Sequence, residues 1–269
     1  MLQSSAQSRE DREGLIAEDK VHVDGDTVRR VMGRHSNSVH TLLVHLSGAG
    51  FGNAPRFLGI DDSGREVLSY IAGRAGDYPM QAPVQSLAAM DSALAILRRL
   101  HDLTTGFLMP DGHARHSVPG ASGEVICHWD AAPYNFVFDG TRAAGLIDFD
   151  EAGPGRRIDD LAYFAYRFAP LTSTENLYDG GWPAGIDRFG RLARIFELYP
   201  DPRAEQLPDL IVDRLGAMRN AITARRPSMD PPDAAEADRH LEIYRRDQQY
   251  IEDQREEILN AVRTRFQGR

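Results

Sequence analysis

The chain has 269 residues, 42% of them apolar, enough for a sizeable core in one large domain or two lobes. Its formal net charge of −9 disfavours a nucleic-acid partner, whose phosphates need clustered Lys and Arg, and is mildly in keeping with a cationic small substrate. No apolar run approaches the roughly 20 residues of a membrane helix, and the start MLQSSAQSREDREGL lacks the layout of a signal peptide, so no membrane association and a cytoplasmic location are expected.

Residues 1–19 are polar and are expected to be frayed or partly ordered. KVHVDGDTVRRV alternates around an Asp-Gly turn, which predicts a hairpin over 20–24 and 27–32. Ser36 or Asn37 can cap a helix that carries Val39, Leu42, Leu43 and Leu46 on one face and stops at SGAGFGNAP. There, Gly48 or Gly50 can supply a positive φ. Two short strands, RFLGID and EVLSYI, follow around the turn DDSG.

After about residue 73 the pattern becomes helical. VQSLAAMDSALAILRRLHDLT carries an apolar stripe of Leu87, Met90, Leu94, Leu97 and Leu100. Two apolar strands, NFVF and AAGLIDF, then interrupt the helices. DDLAYFAYRFAPL resumes them, with an Asp able to cap its start. Further helices are predicted at 186–198, 205–224 and 234–264, the second stopped by the prolines of RRPSMDPPD. Tyr244, Ile251 and Ile258, spaced by sevens, put the last helix on the body of the protein or, alternatively, in a coiled coil. These elements give an α+β fold, divided into a small lobe at 1–72 and a mainly helical lobe at 73–269. The single cysteine, Cys127, excludes an internal disulfide framework; it reads as a core residue rather than as a nucleophile paired with His128.

The chemistry concentrates in VICHWDAAPYNFVFDGTRAAGLIDFDEAG, residues 125–153. Asp130, Asn135 and Asp148 are each explicable alone as a turn residue bonding its own backbone. Together they are harder to dismiss. Asp130 and Asn135 share one short loop between apolar strands, and Asp148 ends the run AAGLI, where a carboxylate is costly without a cation or donors. Oxygens from Asn135 and Asp148 suit Mg²⁺, which prefers carboxylate, amide and phosphate ligands. Asp130 is then available to accept a proton.

His128, Asp130, Asn135 and the Ile-Asp-Phe at 147–149 resemble the His-x-Asp-x4-Asn and Ile-Asp-Phe pattern of the aminoglycoside phosphotransferase family. The resemblance runs from about 21 to 260 and implies a bilobal protein-kinase-like fold, with ATP or another nucleoside triphosphate and Mg²⁺ as cofactors and a small-molecule hydroxyl as acceptor. By it, Asp130 accepts or orients the hydroxyl proton, His128 supports the loop, and Asn135 and Asp148 bind Mg²⁺ that bridges the phosphates. Asp160 matches the carboxylate of the family's Asp-Leu-Ala segment and is expected to cap a helix beneath the site. By the same resemblance, adenine is expected to bond backbone groups at Ser69 to Ile71, with apolar cover from Leu68, Ile71 and Ile147.

The sequence departs from the pattern in five ways. Only Gly14 and Gly25 are available for a phosphate-covering loop, since GAGFGN at 48–53 follows a helix rather than a strand. The nucleotide-binding lysine is replaced by Arg29 or Arg30; alternation favours Arg30, whose guanidinium can hold phosphate oxygens in a fork. The first helix, with His40 and His45, offers no acid to pair with that cation. Trp129 stands between His128 and Asp130, where the family has a small or polar residue, and either packs or narrows the site. Asp150 stands where kinases have glycine. Asp150, Glu151, Asp159, Glu175 and Asp179 could line a cationic acceptor pocket. Three activities fit: a small-molecule phosphotransferase, a kinase-like nucleotide-binding or regulatory protein with little catalysis, and a metal-assisted hydrolase.

Overall fold

The computed structural model describes residues 21–109 and 123–264; the expected frayed segment 1–19, and Gly14 within it, lie outside these. The hairpin forms from β1 (Val21–Asp24) and β2 (Thr27–Val31). Gly25, at φ 57°, makes its turn, a conformation glycine adopts without a Cβ penalty. Helix α1 (Ser36–Gly48) buries Val39, Leu42, Leu43 and Leu46. Its cap is neither Ser36 nor Asn37. His35 occupies that position without a side-chain bond, and the Ser36 hydroxyl accepts instead from the Gly33 amide at 2.9 Å. Gly50, at φ 74°, turns the chain after the helix, as the connector reading required.

Strands β3 (Phe57–Ile60) and β4 (Arg65–Ser69) complete an antiparallel sheet of order β1-β2-β4-β3. Its register sets Arg30 directly opposite Glu66. The chain then leaves this sheet. Strand β5 (Arg74–Ala75) pairs with β7 (Phe136–Asp139), which pairs with β8 (Arg142–Leu146). Strand β6 (Val125–Cys127) pairs with β9 (Gly153–Gly155), a strand hidden in the sequence by its composition, Gly-Pro-Gly.

Helix α2 (Leu87–Leu103) is capped by the Ser86 hydroxyl, which accepts from the Ala89 amide. Met90, Leu94, Leu97 and Leu100 are buried as expected, but Leu87, in the first turn, is 48% exposed; Ala89 and Ala93 complete the inner face instead. The remaining helices are α3 (Arg157–Phe168), α4 (Thr174–Asp179), α5 (Arg188–Leu198), α6 (Leu207–Arg225), α7 (Pro231–Asp253) and α8 (Arg255–Arg263). Pro231 and Pro232 sit in the first turn of α7, where a missing N–H costs nothing, behind the cap Asp230. They therefore start that helix at 231 rather than 234. The predicted single helix to 264 is broken at Gln254. Ile251 and Ile258 are fully buried against the body, which favours the packed reading over a coiled coil. Phe136, Phe164 and Phe168 form the centre of the core, with the latter two rings stacked at 4.2 Å.

Candidate active site

The loop between β6 and β7 carries the residues singled out by the sequence, and a buried carboxylate sets its shape. Asp160, in the first turn of α3, accepts from the backbone amides of His128 at 2.6 Å and Trp129 at 2.7 Å. It also pairs with His101 at 3.0 Å, whose other nitrogen meets the Tyr199 hydroxyl at 2.9 Å. Asp160 is thus not the helix cap. That role falls to Asp159, whose carboxylate accepts from the Arg156 amide at 2.9 Å and pairs with the Arg156 guanidinium. Burial alone would raise the Asp160 carboxyl, but the His101 bond and charge and the loop amides outweigh it and hold it below the ordinary carboxylate range.

His101, Cys127 and Asp160 lie close enough to hold a metal, yet each has a protein partner. The Cys127 thiol donates to the Arg156 carbonyl, and burial pushes its pKa well up, against a nucleophilic role. His128 donates from Nε2 to the Ile147 carbonyl at 2.9 Å and meets Phe149 edge to face, joining the loop to the Ile-Asp-Phe segment. Trp129 takes a left-handed backbone, φ 64°, and its indole turns inward to donate to the Gly153 carbonyl. At 5% exposure it packs.

Asp130 points the other way. Its Oδ1 accepts from the Tyr134 hydroxyl at 2.7 Å and its Oδ2 from Asn135 Nδ2 at 2.8 Å. Because Nδ2 also serves the Asp130 carbonyl, Oδ1 is the atom Asn135 has left for a cation. Asn135 and Asp148 are brought together by the bond from the Ile147 amide to the Asn135 carbonyl at 2.8 Å. Asp148 is left-handed, φ 64°, and half exposed. Surrounding protein and the neighbouring Asp150 carboxylate raise its pKa, with Arg30 and His128 opposing. The Asp148 carboxylate beside the Asn135 side-chain oxygen offers the oxygen ligands a hard divalent cation takes.

Arg30 reaches this cluster from β2. Its Nε lies 2.5 Å from Glu66, its Nη2 2.5 Å from Asp150 and its Nη1 3.5 Å from Asp148. Glu66 is fully buried and also meets His40 of α1 at 2.5 Å. The cation therefore does have an acid partner, supplied by the adjacent strand, with the helix contributing His40 behind it. Asp150 is occupied by Arg30 in this arrangement.

The expected nucleotide contacts fall out unevenly. The Ser69 amide donates to the Arg56 carbonyl, and its hydroxyl accepts from the Arg56 amide, each at 2.9 Å. Leu68 is buried in the core, whereas Ile71 and Ile147 are only half-buried. Ile71 lies over Gly145, where a Cβ would come within 2.6 Å of its Cδ1. The connector at 48–53 docks on β8, with Asn53 bonding Ala144 and Leu146 through its side chain and carbonyl.

Beside Asp130 opens a cavity of about 540 Å³ walled by Tyr78, Tyr134, Tyr163, Tyr166, Trp182 and Tyr244. Of the acids proposed for an acceptor pocket, only Asp179 lines it. Asp150 and Asp159 are engaged by Arg30 and Arg156, and Glu175 and Glu151 lie outside the lining. Asp77, Glu236 and Asp247 line it instead, together with Arg167. The sequence carried a signal for these residues: Tyr163, Tyr166 and Arg167 share a helix face, as do Glu236, His240, Ile243, Tyr244 and Asp247.

Residues 113–195 match the family model of the phosphotransferase enzyme family. Across 153 residues the chain is 37% identical to the trifolitoxin immunity protein of Rhizobium leguminosarum bv. trifolii, a match covering 55% of this chain and 57% of that protein. The chain thus matches little more than half the length of that curated relative. A protein from Ralstonia eutropha JMP134 assigned to the aminoglycoside phosphotransferases superposes with a TM-score of 0.57 at 14% identity, covering 84% of this chain and 86% of its own. The choline kinase of Streptococcus pneumoniae gives 0.53 at 14% identity, covering 89% and 91%. The fold is therefore the protein-kinase-like fold of the aminoglycoside phosphotransferases and choline kinases. The family match at 113–195 spans the loop between β6 and β7.

Proposed function

We propose that the protein is a nucleotide-dependent phosphotransferase that moves the terminal phosphoryl group of ATP, or another nucleoside triphosphate, to a hydroxyl of a small molecule. Residues 1–72 form the nucleotide lobe in this reading, and 73–269 the catalytic and acceptor lobe. The observation that carries it is the position of Asp130, whose carboxylate borders the cavity while Asn135, Asp148 and their neighbours hold surplus oxygen ligands beside it.

Asn135 Oδ1 and the Asp148 carboxylate would hold Mg²⁺, which supplies charge neutralisation to the phosphates. Asp130, kept in line by Tyr134 and Asn135, orients the acceptor hydroxyl and takes its proton. Phosphoryl transfer through a loose transition state asks little more of a protein than this positioning and neutralisation. Arg30 supplies the phosphate-facing cation, held extended by Glu66, and Ile71 and Ile147 give apolar cover to the base. His128 acts through the loop.

Immunity, the property in the relative's name, is a natural use of such chemistry, because a phosphoryl group added to a toxin alters its charge and its fit to a target. A second reading, a nucleotide-binding protein with little catalysis, draws support from the occupation of Arg30 by acids in place of a lysine. Calorimetric titration of ATP with and without Mg²⁺, on the native protein, Asp148→Ala and Asp130→Asn, separates the readings. The expected outcome is Mg²⁺-dependent binding lost in Asp148→Ala, with Asp130→Asn binding ATP but transferring nothing. Binding indifferent to Mg²⁺ would remove the metal role, and full transfer by Asp130→Asn would remove the base.

A further inference from the structure

The cavity beside Asp130 contains a cation that the phosphotransferase reading does not use. Arg167 projects from α3 into the space, with its guanidinium 4.7 Å from the ring centre of Tyr78, 5.3 Å from Tyr166 and 5.5 Å from Tyr134. Its Nε is buried without a hydrogen-bond partner, and among the described residues no acid forms an ion pair with it. Arg30, Arg156 and Arg203, by contrast, pair with carboxylates.

One acid on the same wall, Asp247, is occupied. Its oxygens accept from the Tyr166 hydroxyl at 2.6 Å and from the Ser173 amide and Asn176 side chain at 2.7 Å each. Tyrosine faces attract a guanidinium, but a neutral ring carries no formal charge to pair with it. A planar fork of donors at the wall of a cavity is matched in geometry by a carboxylate, which it binds in two parallel hydrogen bonds.

We propose that the acceptor of this site carries a carboxylate, received by Arg167, and a hydroxyl presented to Asp130. Tyr134 sets the spacing between the two groups, since its ring lies beneath the Arg167 guanidinium while its hydroxyl bonds Asp130. The acceptor is thus a small hydroxy acid or hydroxyl-bearing amino acid, short enough to span roughly one tyrosine side chain. Exposed Asp77 and Asp179, on the cavity lining, suit an ammonium group on the same molecule. This inference rests on the phosphotransferase reading and reverses part of the sequence expectation, in which acids alone shaped the pocket for a cation.

Two measurements on the full chain test it. Small hydroxy acids and hydroxyl-bearing amino acids, each as free carboxylate and as matched carboxamide, are titrated by saturation-transfer NMR against the native protein, Arg167→Gln and Arg167→Lys. The native protein is expected to prefer carboxylates by about tenfold or more, the discrimination a charge-assisted fork supplies. Arg167→Gln should abolish the preference and Arg167→Lys keep part of it. Equal binding of acids and amides, failure of both series to bind, or a preference that survives in Arg167→Gln would overturn the inference. Should Arg167→Gln not fold, the native comparison and Arg167→Lys decide. ADP release with ATP is then followed for the compounds that bind. Carboxylate preference without transfer would overturn the phosphotransferase reading and leave Arg167 in place; transfer to amides as readily as to acids would do the reverse.

Discussion

Replacing Asp160 by alanine removes three contacts at once: the loop amides at 2.6 and 2.7 Å and His101 at 3.0 Å. Hydrogen bonds to a charged group contribute about 1.5–3 kcal/mol each, but neighbours in one network do not add. Breaking a buried ionic pair costs about 3–5 kcal/mol. Relaxation of Trp129 from its left-handed backbone would return about 1 kcal/mol, so the net loss should be about 3–4 kcal/mol. Urea unfolding followed by tryptophan fluorescence measures it directly. Because the folded carboxyl is held below its ordinary value, the contribution is fully present above the unfolded pKa near 4 and disappears as pH falls through the folded one. The gap between native and variant should therefore close on acidification. A loss under about 1 kcal/mol at neutral pH, or a gap that does not change with acid, would refute the assignment of Asp160 as the anchor of the loop.

Two further substitutions probe the surrounding structure. Glu66→Gln leaves Arg30 its Asp150 contact but strips the charge between Arg30 and His40, and about 3 kcal/mol of stability should be lost in thermal unfolding. Gly76→Ala would force a Cβ to 2.5 Å from the Pro133 carbonyl oxygen, beneath the turn that carries Asn135, and should cost about 1–3 kcal/mol in urea. Gly48→Ala, at a helical position with open space around it, is the control and should be neutral or slightly stabilising.

The sequence revealed most where function rests on order and spacing along the chain. His128, Asp130, Asn135 and Asp148 fall within one short stretch, and the structure gathers them around one loop and its neighbouring strands. Partnerships set by register were hidden. Glu66 meets Arg30 because β2 and β4 pair with those two residues opposite each other, and no pattern near either residue announces it. Asp160 looked like a cap because helix-start acids usually are; its bonds instead go to a loop 31 and 32 residues earlier. The acceptor cavity was missed for another reason. Tyrosines on an amphipathic helix read as core, and only the tertiary structure shows that Tyr163, Tyr166 and Arg167 border an open space.

The docking of Asn53 onto β8 has a mechanical consequence. A small lobe joined to a large one by a single strand of chain could swing in any direction, like a weight on a cord. Here the Asn53 bonds to Ala144 and Leu146 stand beside the His45 bond to the Leu103 carbonyl at 2.9 Å and the Arg30 pair with Asp150, so the first 72 residues are tied to the rest at several separated points.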